Sequence, residues 1–179
     1  MSVEKLRWTV LASLMAGLTA VGAYISIPIG PVPIVLSGLF VLLSGLLLGS
    51  RWGLISMGLY LFIGAIGIPV FAGGKGGVAH FFGPTGGYLF GYCLCAWITG
   101  LISEQSRESP VLQIIAVLLG SLAIYAVGIP WLKWTMNLQW SRAFLVGMVP
   151  FLIGDGVKAA AAILLARSTR PVLTRQMQL

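Results

Sequence analysis

Apolar residues fill this chain in long blocks, and their pattern decides the element type. Stretches such as Leu39 to Leu48 are apolar on every side, whereas strands of a membrane barrel alternate apolar and polar positions over about ten residues. Helices that are hydrophobic all round belong in a bilayer or a deep core. Proline, glycine and the rare charges divide the sequence into six blocks, at about 6–27, 34–50, 53–68, 85–103, 111–130 and 143–167. Blocks one, three and five end alike, at Ile27-Pro28, Ile68-Pro69 and Ile129-Pro130, and proline is expected just past a helix end. Pro33 and Pro84 open the blocks that follow, where a missing N–H suits the first helical turn. A span takes about 20 apolar residues to cross a hydrocarbon core about 30 Å thick. The pattern therefore predicts an all-α integral membrane protein with six transmembrane helices in one domain over residues 1–179. No internal repeat or low-complexity linker interrupts it.

Composition agrees, with 58% hydrophobic and only 8% charged residues, against about 25% charged in soluble domains. The net charge of +7 would raise the question of nucleic acid, but the basic residues lie between and beyond the apolar blocks without a patch of stacking aromatics. Anionic lipid headgroups are the expected partner of the tail residues Arg167, Arg170 and Arg175. Lysine and arginine are enriched in cytoplasmic segments. Seven of them (Lys5, Arg7, Arg51, Arg107, Arg167, Arg170, Arg175) fall on the side of the termini, and three (Lys75, Lys133, Arg142) on the other. Both termini are thus expected in the cytoplasm of a cell-membrane protein. The first block is too long for a signal-peptide core and reads as a retained helix. Cys93 and Cys95 lie two apart in an apolar run, without the spacing or partners of a zinc, redox or haem motif.

Three loops then share the outer side, at 28–33, 69–84 and 131–142. The second is long and rich in glycine: Phe71-Ala72-Gly73-Gly74-Lys75-Gly76-Gly77, then Phe81-Phe82-Gly83-Pro84-Thr85-Gly86-Gly87. Glycine permits the close approaches a ligand cradle needs, and a flexible re-entrant connection is the plainer reading. Gly74-Lys75 is no phosphate loop, because Gly76 stands where serine or threonine is required, so ATP is not bound by this chain. His80 has no acidic or thiol neighbour and is assigned a hydrogen-bonding role in the loop. Trp8, Trp52, Trp131, Trp134 and Trp140 lie near block ends, as an interfacial belt does.

The residues most suggestive of chemistry are Asp155 and Lys158, three apart inside the last block. Ionisable groups in a span face the bundle interior, pair, and mark a site. Asp155 stands twelve residues from either end of its block, hence about 18 Å deep at 1.5 Å per residue. A carboxylate accepts from N–H donors and an ammonium donates to a carbonyl or carboxylate, a combination that suits a ureido ring. A mutual ion pair that only locks the bundle is the other reading. Ala12, Ala16 and Ala20 form a small-residue stripe suited either to docking another helix or to internal packing. No catalytic triad, metal motif or second intramembrane carboxylate occurs, so an enzyme is not expected, nor a metal or cofactor.

Four segments together resemble the BioY family, the biotin-specific S components of energy-coupling-factor (ECF) transporters: Ala20-Val-Gly-Ala-Tyr-Ile-Ser-Ile-Pro-Ile-Gly-Pro-Val-Pro-Ile34, Phe40-Val-Leu-Leu-Ser-Gly-Leu-Leu-Leu-Gly49, Gly67-Ile-Pro-Val-Phe-Ala-Gly-Gly-Lys-Gly-Gly77 and Phe82-Gly-Pro-Thr-Gly-Gly-Tyr88. The resemblance covers nearly the whole chain. It implies a six-helix S component that takes biotin from outside under the three outer loops. Substrate contacts are implied for Asp155, Lys158, Lys75, Gly73, Gly74, Thr85 and Tyr88. It also implies a transmembrane coupling protein meeting Ala12, Ala16 and Ala20, and two ATPase subunits driving the cycle. One departure is Val35-Leu36-Ser37, where members commonly carry Thr-Leu-Gln. Two other readings of the residues are an S component for another small vitamin and a structural membrane protein.

Overall fold

The structure, a computed structural model, describes residues 3–105 and 109–177, with side chains to Pro171. Arg107 and the side chain of Arg175 lie outside the described residues. Among the described residues there are six α-helices: α1 (Val3–Tyr24), α2 (Ser37–Ala65), α3 (Gly86–Gln105), α4 (Pro110–Met136), α5 (Trp140–Gly147) and α6 (Leu152–Met177). Two-residue strands β1 (Ser26–Ile27) and β2 (Ile34–Val35) close the first loop as an antiparallel hairpin. Among the described residues five segments are long and apolar enough to cross a membrane: α1, α2, α3, α4, and Trp140–Pro171, which joins α5 to α6.

The six-helix expectation is not confirmed in that form, because the blocks at 34–50 and 53–68 fall within the single helix α2. Yet α2 is not straight. Gly49 has φ 82 and ψ −175, a region essentially restricted to glycine, and there the helix folds back. A Cβ on Gly53 would lie 3.3 Å from the Gly45 Cα, although eight residues of straight helix span about 12 Å. Two neighbouring helices hold the reversal. Glu104 of α3 accepts from the Ser50 N–H (2.8 Å), placing a carboxylate on the start of the second arm. Arg170 of α6 donates to the Leu46 carbonyl near the end of the first arm and to Ser103 Oγ, both at 2.6 Å. Each charge opposes the partial charge of the helix end it caps.

The last apolar block also departs from expectation. α4 runs on through Pro130 to Met136, so the Trp-rich loop expected at 131–142 shrinks to Asn137–Gln139 before α5. Proline is tolerated inside membrane helices when neighbours compensate, and here Trp131 is anchored by its indole N–H to the Gly83 carbonyl (3.0 Å). The chain then breaks after α5, at Met148, with a 3-10 turn over Val149–Phe151. Asp155 consequently sits in the first turn of α6 rather than mid-helix.

Ala12 and Ala16 are buried, at 1% and 2% exposure, and Ser56 of α2 donates to the Ala12 carbonyl (2.8 Å). The stripe is filled by the chain's own packing. Of the two readings of the stripe, internal packing accounts for Ala12 and Ala16 in this chain; Ala20 is half-buried and packs on the same core.

Candidate ligand site

A cavity of about 80 Å³ opens at the end of the bundle where α1 finishes and α2, α3 and α6 begin. Its walls come from all of the long helices and from both loops at that end. Ser37, Gly38 and Tyr60 of α2, Tyr88 and Tyr92 of α3, and Tyr125 of α4 surround it, with Asp155 and Lys158 of α6 on one side. Val32 and Pro33 of the first loop, and Ala72, His80 and Thr85 of the glycine-rich loop, cover it.

The break before α6 explains how a carboxylate is kept here. The first turn of a helix exposes unpaired N–H groups and a partial positive charge that favour an anion. Lys158 Nζ donates to Asp155 Oδ1 (2.7 Å), and the side chains are 12% and 29% exposed. The Tyr125 hydroxyl donates to Asp155 Oδ2. Both carboxylate oxygens are therefore engaged, while each retains a free lone pair and Lys158 retains two further N–H donors. The pair offers acceptors and donors side by side on an otherwise aromatic wall.

Most other polar tips in the cavity are satisfied by the chain itself. Ser37 Oγ and the Tyr92 hydroxyl pair at 2.8 Å. Tyr88 donates to the Gly147 carbonyl (2.8 Å) and Tyr60 to the Val70 carbonyl (3.2 Å), so both fix loop or break geometry while presenting their rings to the cavity. Thr85 Oγ1 pairs with His80 Nε2 at 3.1 Å, and the His80 ring stacks on Phe71. Burial, reinforced by the nearby Lys75 charge, pushes the His80 pKa below the ordinary imidazole value, so the ring stays neutral.

Of the residues expected from sequence, the structure brings Asp155, Lys158, Thr85 and Tyr88 together around the cavity. Lys75, Gly73 and Gly74 are not among its walls, contrary to expectation. Gly73 and Gly74 take φ of 71 and 69 to turn the chain, Phe71 N–H bonds back to the Lys75 carbonyl (2.8 Å), and this tight reversal leaves Lys75 exposed. Tyr125, Tyr92, Tyr60 and Ser37 were missed. Their signal was a polar tip inside an apolar block, where such a group needs a buried partner.

A family model described as the BioY family matches residues 1–175. The chain belongs to the BioY family. Among BioY relatives, it is 44% identical to the probable biotin transporter BioY of Pyrococcus horikoshii, over 87% of this chain and 91% of that one. It is 41% identical to the biotin transporter BioY of Thermotoga maritima, over 90% and 94% of the two chains. A crystal structure of the S-component for biotin from an ECF-type ABC transporter superposes with a TM-score of 0.88 at 30% identity, covering 96% of this chain and 95% of that one.

Proposed function

We propose that this chain is the S component of a biotin transporter, a membrane subunit that captures biotin and delivers it inward, rather than an enzyme. The observation that carries the reading is the Asp155–Lys158 pair, held by Tyr125 at the wall of an aromatic cavity under two loops. Biotin's ureido group presents N–H donors and one carbonyl, the complement of a carboxylate beside an ammonium. The aromatic walls suit its ring system and the methylenes of its side chain. The relatives' names and the biotin S-component neighbour support the same ligand.

The loops over the cavity move in this account. A cavity of about 80 Å³ is smaller than the roughly 150 Å³ that accommodates benzene, so biotin enters as the two loops separate and close again. Lys75 stands at the rim beside His80, its charge felt by that ring. There it meets the biotin carboxylate once the glycine-rich loop has closed, while Asp155 and Lys158 hold the ureido end.

The two arms of α2 on either side of Gly49 count as separate passes, so the chain crosses the membrane six times. Tyr24 donates to the Pro69 carbonyl at one end, the end at which α2 begins, which supports the reversal. Six passes place both termini on one side, and the seven-to-three division of basic residues puts that side in the cytoplasm. We assign delivery to a complex with a transmembrane coupling protein and two ATPase subunits, the reading supported by the S-component neighbour from an ECF-type ABC transporter. Uptake of labelled biotin by biotin-auxotrophic cells producing the chain tests the reading. Uptake that rises with the chain and falls with Lys158→Met supports it, and uptake indifferent to both rejects it.

A further inference from the structure

A second concave site lies on the outside of the bundle, between α4 and α5. Its upper part is lined by Lys133, Trp134, Asn137 and Trp140. Its lower part is lined by Leu122, Ala126, Ile129, Phe144 and Met148. Pro130 and Trp140 line both, so the two parts form one continuous groove. Polarity therefore changes along its length, from a cation and an amide near the end of α4 to a mostly apolar floor, with Tyr125 at its side, deeper in the span.

Among the described residues, the charge at the upper end has no carboxylate partner. Lys133 Nζ lies 5.2 Å from the centre of the Trp140 ring, and among the described residues no carboxylate forms an ion pair with it. Arg142 is two residues from Trp140 and exposed. The described acids are Glu4 at the start of α1 and Glu104 at the end of α3, both at the opposite end of the bundle, and Asp155 within the cavity. A zwitterionic headgroup would bring a second cation to a surface without a carboxylate to receive it. An anionic one completes it.

We propose that this groove binds one anionic phospholipid, its phosphate on Lys133 and Asn137 and one acyl chain along Leu122, Phe144 and Met148. The site differs from the ligand cavity, but Tyr125 lines both. An acyl chain in the groove packs behind the tyrosine that holds Asp155.

Native mass spectrometry of the detergent-purified full chain, with dioleoylphosphatidylglycerol and dioleoylphosphatidylcholine at equal concentration, tests this. One phosphatidylglycerol is expected to remain bound, with a preference of about fivefold or more, about 1 kcal/mol. Lys133→Ala removes the preference and Lys133→Arg keeps it. Leu122→Trp, at a lipid-facing position, fills the apolar part and reduces retention of both lipids while Lys133 is intact. Each variant is compared at an unchanged melting temperature. Equal retention of the two lipids by the native chain, a preference that survives Lys133→Ala, or full retention by Leu122→Trp would overturn the proposal.

Discussion

Tyr125 on α4 donates its hydroxyl to Asp155 Oδ2 at the start of α6, while Lys158 occupies Oδ1. Two helices thus fix the plane of one carboxylate, and that plane sets where its remaining lone pairs point into the cavity. A carboxylate free to rotate would lose entropy on meeting a ligand, and one already held loses less.

Tyr125→Phe keeps the ring and removes only this donor. The bond is already made in the free chain, so its loss should lower the melting temperature and, by freeing the carboxylate to rotate, weaken biotin binding by up to about tenfold, with helical content unchanged. Calorimetric titration of the two proteins measures the ratio. An unchanged affinity would remove Tyr125 from the site.

The role given to Lys75 depends on biotin's carboxylate. Lys75→Ala should weaken biotin while leaving biotin methyl ester, which lacks the negative charge, nearly unaffected. The loss is modest, about 1 kcal/mol or less, because an exposed ammonium pairs weakly. Equal effects on both compounds would place Lys75 outside the ligand's reach.

Gly49 is tested through the reversal of α2. A side chain at its φ of 82 is strained and also meets the Glu104 carboxylate, so Gly49→Ala should lower the melting temperature in detergent more than Glu104→Gln. The first costs about 1–3 kcal/mol of backbone strain plus the displaced cap, whereas the second only weakens a hydrogen bond. The reverse order would mean that the helix end, not the glycine, makes the turn.

His80 carries a pH dependence of defined sign. Its pKa is lowered in the fold, so the unfolded chain takes up a proton first as pH falls. Stability from keeping the ring neutral is fully present above the unfolded value of about 6.5 and is lost as pH drops through the lower folded value. Melting temperatures measured from pH 7.5 down to 5 should fall more steeply for the native chain than for His80→Asn. Parallel curves would show that His80 is not the group that titrates.

The sequence disclosed the membrane helices and the ion pair because both rest on strong local energies: lipid demands apolar blocks, and only a functional or paired charge survives inside one. It misplaced features decided by tertiary contacts. Pro130 read as a helix end, but α4, with Trp131 anchored to Gly83, runs six residues further, to Met136. Asp155 read as central to a helix, but the chain breaks at Met148, just ahead of Pro150, and puts it in a first turn. Lys75 was implied as a contact by the family resemblance, and the turn at Gly73 and Gly74 leaves it exposed, outside the cavity walls. Tyr125 escaped notice because a tyrosine in an apolar block looks like lipid-facing bulk until its partner on another helix is seen.

Titration of the purified chain with biotin, followed by intrinsic tryptophan fluorescence or calorimetry, beside Asp155→Asn and with thiamine as comparator, tests biotin capture. Saturable one-to-one binding of biotin, no binding of thiamine, and a loss of about tenfold or more in a folded Asp155→Asn are expected, since a hydrogen bond to a charged group contributes about 1.5–3 kcal/mol. A well-folded native chain that ignores biotin, or an Asp155→Asn variant that binds it equally well, would contradict the account.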